Sequence, residues 1–370
     1  MQKKIKGDFF IISFFGDSRL NVALTFNVKP EGGAFIEDLS PIQYNYGTQP
    51  QKSADTFAEW DTWETITAVK DAIETFHTVE LIEADHNAYE KLKESKCDIV
   101  FNIAEGFNGL SREAQIPAIL DMLKKPYSGS DPLTLSICLD KARTKEILSY
   151  YKIPNAKFIV IDELEQLKAF RLEFPLIVKP IGEGSSKGIY SSSFVNNKNE
   201  LMLEVERILN EYNQPALIEE FLPGREFTAA IIGNNSDAEV LPIVEISYAD
   251  FPQDFIPIYS YDAKWILDTR EKPLNVFSCP AKLDMALENK IKATALRTYQ
   301  VLRCKDWSRI DLRLDKNNIP NIIEVNPLPG ILPNPEDNSC FPKAARTIGL
   351  NYSQMINKVL SVAAKRYNLI

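Results

Sequence analysis

The segment RIDLRLDKNNIPNIIEVNP (309–327) sets two carboxylates and an amide at a spacing that chemistry can use. Two alternating apolar runs flank Asn317-Asn318, the pattern of a β-hairpin. A two-residue turn there places Asp311 opposite Glu324, and alternation of side chains puts Asp311, Glu324 and Asn326 on one face. Hard oxygen donors of this kind suit Mg²⁺, which keeps several waters and is completed by phosphate oxygens. Neighbouring carboxylates repel when no cation lies between them. A solvated hairpin face carries the same residue types, so spacing alone leaves both readings open.

Two further segments could hold an anionic ligand. The apolar run Leu176–Pro180 ends in Lys179 and opens into GEGSSKG (182–188), a backbone able to lie over phosphates with its N–H groups. It matches neither GxxxxGK[ST] nor GxGxxG, and a plain flexible loop has the same composition. In LIEEFLPGREF (217–227), a strand carrying Glu219 turns at Pro223-Gly224 and resumes at Glu226. It could offer backbone groups and a carboxylate to an adenine and a ribose, or be only a strand and a turn.

The elements that must position these groups alternate between strand and helix. The first strand is expected at Asp8–Phe15, with 17–58 an extended loop or β-excursion. A helix is expected from Trp63, with Ile66, Val69, Ile73 and Phe76 at helical spacing and Thr62 as its cap. Short buried strands at Thr78–Glu83 and Asp98–Ile103, separated by a helix at Ala88–Lys96, imply a parallel sheet. Helices follow at Ser111–Leu123, Leu135–Tyr150, Lys198–Asn210 and Asp284–Leu302. Strands are expected at Lys157–Ile161, Leu176–Pro180, Ala216–Phe221, Glu226–Ile232 and Val240–Ile246. An irregular stretch spans Asp250–Val276, and two helices, 343–348 and 352–365, close the chain. Boundaries fall near 137 and 226, and the class is α/β.

Composition bounds the partners. The 370 residues are 25% charged and 45% hydrophobic, with a formal net charge of −9, ordinary for a globular chain and poor for coating nucleic acid. Dividing the length by about 150 residues per domain gives two or three lobes. Cys97, Cys138, Cys279, Cys304 and Cys340 are odd in number and lack a CxxC, which argues for a reducing compartment and against a disulfide framework or a zinc site. The basic, then apolar start lacks a small-residue cleavage site, and no stretch approaches the ~18 apolar residues of a membrane span. A cytoplasmic protein is expected. His77 and His86, the only histidines, have no nucleophile pattern beside them and are expected on the surface.

Together these pieces resemble the ATP-grasp superfamily and, within it, the D-alanine–D-alanine ligases. The matching segments are FNIAEG (101–106), REAQIPAIL, PYSGSDPLTLSICLDKARTK (126–145), FPLIVKPIGEGSSKGI (174–189), IEEFLPGREFT, RIDLRLD and IIEVNPLPG. The resemblance covers about Cys97 to the C-terminus, and the order and spacing of several motifs carry it. It implies a three-lobed ATP-grasp fold: an N-terminal parallel-sheet preATP-grasp domain (1–137), a central lobe (138–225) and a C-terminal lobe with the metal site (226–370).

By the same resemblance, Lys141 and Lys179 bind ATP phosphates, and Ser185 and Ser186 occupy the phosphate loop. Glu219, Leu222 and Glu226 hold adenine and ribose. Asp311, Glu324 and Asn326 ligate Mg²⁺ (or Mn²⁺). Arg309 and the Gly330 N–H stabilise the reacting carboxylate and the tetrahedral intermediate, and Ser339 meets the second substrate's carboxylate. The implied reaction phosphorylates one substrate carboxylate and lets a second substrate's amine attack the acylphosphate. Small amino acids are the expected partners, without nucleic acid or membrane, in a homodimer formed through the first lobe.

Four departures bear on the substrate. The family's glutamate for the first substrate's ammonium has no clear counterpart, and Glu59, in the cluster Glu59, Asp61, Glu64, is the candidate. Trp265, after Lys264, replaces the family tyrosine and loses its hydroxyl contact to the loop serine. Glu105 stands where the family has a histidine, and the loop 331–338 is longer. The default product is D-alanyl-D-alanine. A divergent dipeptide or amide ligase of secondary metabolism, or a non-catalytic nucleotide-binding module, would share the fold, and retention of the lysines, Arg309 and the metal triad argues against the module.

Overall fold

The computed structural model describes residues 15, 18–30, 57–107, 109–252, 255–261, 263 and 274–370. A first sheet is wholly parallel, in the order β2-β1-β3, from β1 (Asn21–Phe26), β2 (Thr78–Glu83) and β3 (Ile99–Asn102). β1 corrects the expectation of a loop over 17–58. NVALTF shows no alternation because a central parallel strand buries both faces, and only Asn21 is exposed. The strand expected at Asp8–Phe15 lies outside the described residues except for Phe15, which is buried. β2 was expected to be buried, but at the sheet edge only Ile82 is.

The helix Trp63–Glu74 joins β1 to β2 and buries Ile66, Val69 and Ile73, as its periodicity predicts; Thr62 is its N-cap residue but makes no side-chain cap bond. The helix Ala88–Glu94 joins β2 to β3. One long helix was expected over Leu135–Tyr150. Two form instead, Pro132–Leu139 and Lys141–Tyr150, broken at Asp140. The Asp140 carboxylate accepts the Ala142 and Arg143 N–H groups at 2.9 and 3.0 Å, a cap that starts the second helix at Lys141.

The second sheet is antiparallel in the order β4-β7-β5-β6, from β4 (Phe158–Ile161), β5 (Leu176–Pro180), β6 (Phe194–Val195) and β7 (Ala216–Glu220). The helix Lys198–Glu211 covers it through Leu201, Val205 and Ile208. The third sheet comprises β8 (Glu226–Ile232), β9 (Glu239–Val240), β10 (Val244–Ile246), β11 (Phe277–Ser278), β12 (Trp307–Leu314) and β13 (Pro320–Asn326). Its order is β11-β10-β8-β12-β13, with β9 beside β8. The single strand expected over Val240–Ile246 is thus two short ones, and the irregular stretch 250–276 lies partly outside the described residues.

Helices on both faces bury the third sheet. Cys138 and Leu148 from the paired helices and Ile291, Ala295 and Tyr299 from Met285–Val301 pack with Ile310, Leu312 and Val325. On the other side, the helices Cys340–Thr347 and Tyr352–Arg366 share one core with the first sheet, joining Phe341 and Ile356 to Val22, Leu24 and Ile66. The Asn357 amide donates to the Ala72 carbonyl at 2.7 Å across that junction.

His77 departs from the surface position expected of it, being 5% exposed against Phe15 and Phe76. Its Nδ1 accepts the Leu20 N–H at 3.1 Å, so a proton belongs on Nε2, which is buried without a partner. Burial, helped by the nearby Arg19 charge, lowers its pKa to about 4. The unfolded chain, with histidine near 6.5, binds this proton more tightly than the folded one. The stability His77 confers is therefore complete above about pH 6.5 and is lost as pH falls towards 4. In urea unfolding, the stability difference between wild type and His77→Gln is expected to shrink between pH 7 and pH 4.5; a difference that stays constant would refute the assignment.

Candidate active site

A cavity of about 320 Å³ opens between the second and third sheets, with residues 58–62 of the first lobe at one side. Its charged lining begins at β5 and β7. The Lys179 ammonium from β5 pairs with Glu219 of β7, and the other Glu219 oxygen meets Lys145 Nζ at 2.5 Å. Burial alone would raise the Glu219 pKa, but the two ammonium groups outweigh it and bring it to about 2. Lys145 itself is lowered by burial against the pull of Glu219. Lys145 was not among the site residues expected from sequence, although it follows Lys141 by four residues and therefore shares its helix face. Lys141, at the first position of that helix, donates to the Glu183 carbonyl and pairs with Glu324 at 2.7 Å. Burial acts upward on Glu324 as well, and Lys141, then Lys179 and Arg309, hold it below the ordinary range.

The β12–β13 hairpin sets Asp311 opposite Glu324, as the spacing predicts, but by another route. Asp315 N–H donates to the Ile319 carbonyl at 3.0 Å, so the loop has three residues rather than two, with Asn318 at φ 58°. That extra residue would slide the register by one. A bulge between Asp311 and Leu312 restores it, and Asp311 and Asn326 meet at 3.3 Å from Oδ2 to Nδ2. Arg309 forks onto the two Asp311 oxygens at 3.1 and 2.9 Å. All of Lys141, Lys179, Glu219, Leu222, Glu226, Arg309, Asp311, Glu324, Gly330 and Ser339 line one cavity, as do Ser185, Ser186 and Glu59; Asn326 borders a small adjoining pocket.

Several of these residues are engaged in ways the sequence does not indicate. Glu226 accepts from Arg313 at 3.0 Å and from the Tyr248 hydroxyl at 2.8 Å, and Arg313 lies 4.7 Å from the Phe221 ring centre. Burial raises the Glu226 pKa despite both partners. Ser339 is the N-cap residue of the helix Cys340–Thr347; its Oγ donates to the Gly330 carbonyl and accepts the Leu332 N–H, both at 3.2 Å, which stitches the substrate-side loop. Ser185 and Ser186 sit at φ 50° and 62°, in the left-handed region. The Ser186 hydroxyl donates to the Tyr259 carbonyl at 2.8 Å. Trp265 lies outside the described residues.

Glu59 is held by Arg112. The guanidinium donates Nη2 to both carboxylate oxygens at 2.7 and 2.9 Å and Nε to one of them at 3.2 Å, and the Gly184 N–H adds a fourth bond at 2.7 Å. Burial opposes the charge on Glu59, but Arg112 and Lys187 prevail and bring the pKa to about 2. Two residues on, the Asp61 carboxyl faces the same cavity with no hydrogen bond or ion pair among the described residues. Burial raises it to about 7. Glu105 and Glu113 are also raised, by burial first and then by neighbouring carboxylates, Glu113 to about 7.

Two antiparallel sheets that enclose a cavity lined by paired hairpin carboxylates, facing lysines and a Gly/Ser loop match the ATP-grasp fold. The family model for the D-ala D-ala ligase C-terminus matches residues 147–361. The D-alanine–D-alanine ligase of Hydrogenovibrio crunogenus is 34% identical over 249 residues, 67% of this chain and 72% of the relative. An uncharacterised protein, y4sG, of Sinorhizobium fredii is 34% identical over 73% of this chain and 75% of its own. The crystal structure of the Bacillus anthracis D-alanine–D-alanine ligase superposes with a TM-score of 0.66 over 95% of this chain and 99% of that one, at 23% identity. That enzyme has also been solved with ATP. The chain belongs to the D-alanine–D-alanine ligase family and is an ATP-dependent ligase that forms C–N bonds.

The lysine–glutamate–lysine contact is open to direct measurement. Glu219→Gln leaves two buried ammonium groups facing a neutral amide and should destabilise the protein by about 3 kcal/mol. Adding Lys145→Met should recover part of the loss in urea unfolding, whereas additive effects of the two substitutions would show that the groups do not interact.

Proposed function

We propose that this ligase joins two molecules of D-alanine through an acylphosphate, with Mg²⁺ (or Mn²⁺) as its metal. The observation that carries the reading is the convergence of Lys141, Lys179, Arg309, Asp311 and Glu324 on one cavity. The activity named for the relatives supports D-alanine as substrate.

Among the described residues, no group of three or more His, Cys, Asp or Glu is assembled to hold a metal. Two carboxylates and the Asn326 amide on one face fit a hard cation that keeps water and takes further oxygens from phosphate. Bound there, Mg²⁺ would neutralise charge on the transferring phosphoryl group. Lys141 and Lys179 supply the protein's own positive charge for the triphosphate, and Leu222 with the adjoining backbone lines the base end. Glu226 is the acceptor for the ribose. Arg309 and the Gly330 N–H orient the donor carboxylate and stabilise its oxyanion as the amine attacks. Ser339, by holding the 330–332 backbone, shapes the place for the second substrate's carboxylate. The Gly182–Gly188 loop, with Ser185 and Ser186, excludes water from the labile acylphosphate.

For the donor's ammonium, Asp61 is the better candidate than Glu59. Glu59 is committed to Arg112 and the loop, whereas Asp61 is a cavity-facing carboxyl with its charge unanswered. A ligase for a different amino-acid pair is the second reading, and the engagement of Glu59 by Arg112 favours it.

ADP release with ATP and Mg²⁺, measured against D- and L-amino acids singly and in pairs with mass spectrometry of products, separates the readings. D-alanine alone should yield the dipeptide; silence with D-alanine and turnover with another pair would assign the second. Asp311→Asn should lower kcat by about 10²-fold or more, and normal turnover would remove Asp311 from the metal site. Asp61 gains its charge as pH rises through about 7. The KM for the donor amino acid should therefore fall between pH 6 and pH 8 in the wild type, and Asp61→Asn should raise KM and flatten that trend.

A further inference from the structure

The Gly182–Lys187 segment contains two consecutive non-glycine residues in the left-handed region, Ser185 and Ser186. Such a backbone persists only where surrounding contacts over-determine it. Beside the Ser186 bond to the Tyr259 carbonyl and the Lys141 bond to the Glu183 carbonyl, several of those contacts meet at one side chain of the first lobe. Arg112, 9% exposed in the short turn before the helix Gln115–Leu123, donates Nη1 to the Gly182 carbonyl at 2.8 Å, where the loop begins. Its other nitrogens grip Glu59, which accepts the Gly184 N–H and lies 3.5 Å from Lys187 Nζ, where the loop ends. A Cβ on Gly184 would stand 2.5 Å from Glu59 Oε1, so the loop approaches this carboxylate as closely as a backbone can.

We propose that Arg112 is a positioning residue for nucleotide binding. By fixing the Gly182 carbonyl directly and the Gly184 N–H through Glu59, it docks the phosphate loop on the first lobe before the triphosphate arrives. The geometry needs a planar fork. Three of its donors serve two acceptors in different directions, which a lysine ammonium on a flexible stem cannot reproduce with the same order. Burial removes competing water, so loss of the fork leaves Glu59 with only Lys187 and the Gly184 N–H, and the loop start with no anchor from the first lobe. The proposal rests on the reading of the cavity as the ATP site.

The test uses the full-length enzyme, with Arg112→Met and Arg112→Lys read by steady-state kinetics and by trypsin cleavage at Lys187. The expected result for Arg112→Met is a KM for ATP raised about tenfold to a hundredfold, with the amino-acid KM at saturating ATP little changed. Cleavage at Lys187 should become fast in the free enzyme and slow again at saturating nucleotide. Arg112→Lys should lie between wild type and Arg112→Met in both readouts, and it carries the test if Arg112→Met does not fold. An unchanged KM for ATP, or a loss of kcat and thermal stability together without faster cleavage at Lys187, would overturn the proposal. Failure of the wild type to bind or hydrolyse ATP would instead overturn the nucleotide reading, and the proposal with it.

Discussion

Glu219 answers two ammonium groups at once, in a place where water cannot. Lys145 and Lys179 reach it from a helix and from a neighbouring strand, and all three side chains are nearly fully buried. Without the carboxylate, two buried ammonium groups would face each other with their charge unanswered. With it, each ammonium faces a carboxylate, and Lys141 meets Glu324 in the same way at 2.7 Å. The same contacts tie the helix Lys141–Tyr150, β5, β7 and β13 to one point, so electrostatic compensation and architecture are a single constraint.

The three sheets are joined by different forces, and the difference bears on function. The first and third share a continuous apolar core through the two C-terminal helices. A buried polar junction reinforces it: Asp306 accepts from Arg366 at 2.7 Å and from the Gly129 N–H at 2.8 Å. The second sheet has largely its own core under the helix Lys198–Glu211. Its placement against the others leans on polar ties, among them Lys141 N–H to the Ile181 carbonyl at 2.9 Å and Arg112 to the Gly182 carbonyl. Apolar packing is insensitive to an anionic ligand, whereas ties made of charges respond to one. The division therefore puts the ligand-responsive joints around the cavity and the insensitive ones behind it.

On the proposed reading, recognition of the amino acid and of the nucleotide draw on different parts of the chain. The lysines, the hairpin carboxylates and Arg309 are carried on strands and on a capped helix, where register and helix phase hold side chains to narrow positions. Glu59 and Asp61 lie in the irregular segment before the helix Trp63–Glu74, where a shift of two residues exchanges a carboxylate neutralised by Arg112 for one with no ion pair among the described residues. If that segment holds the amino acid as proposed, substrate preference can change there without disturbing the phosphate chemistry.

Local pattern was sufficient wherever one residue's neighbours in the chain decide its conformation. The helix Trp63–Glu74, the strand Leu176–Pro180 and the facing of Asp311 and Glu324 were all legible in this way, as was the order of the site motifs. β1 escaped notice because burial on both faces erases alternation, and the break at Asp140 escaped because a cap is a choice between two helical alternatives that pattern does not weigh. The hairpin was legible in its result but not its cause, since an added loop residue and a bulge cancel. What only the tertiary structure decided is which charges meet. Lys145 with Glu219 and Arg112 with Glu59 are pairings between elements tens of residues apart, and the Asp61 carboxyl finds no ion pair among the described residues. They are set by burial, which makes an unanswered charge costly, and burial exists only once the lobes have come together.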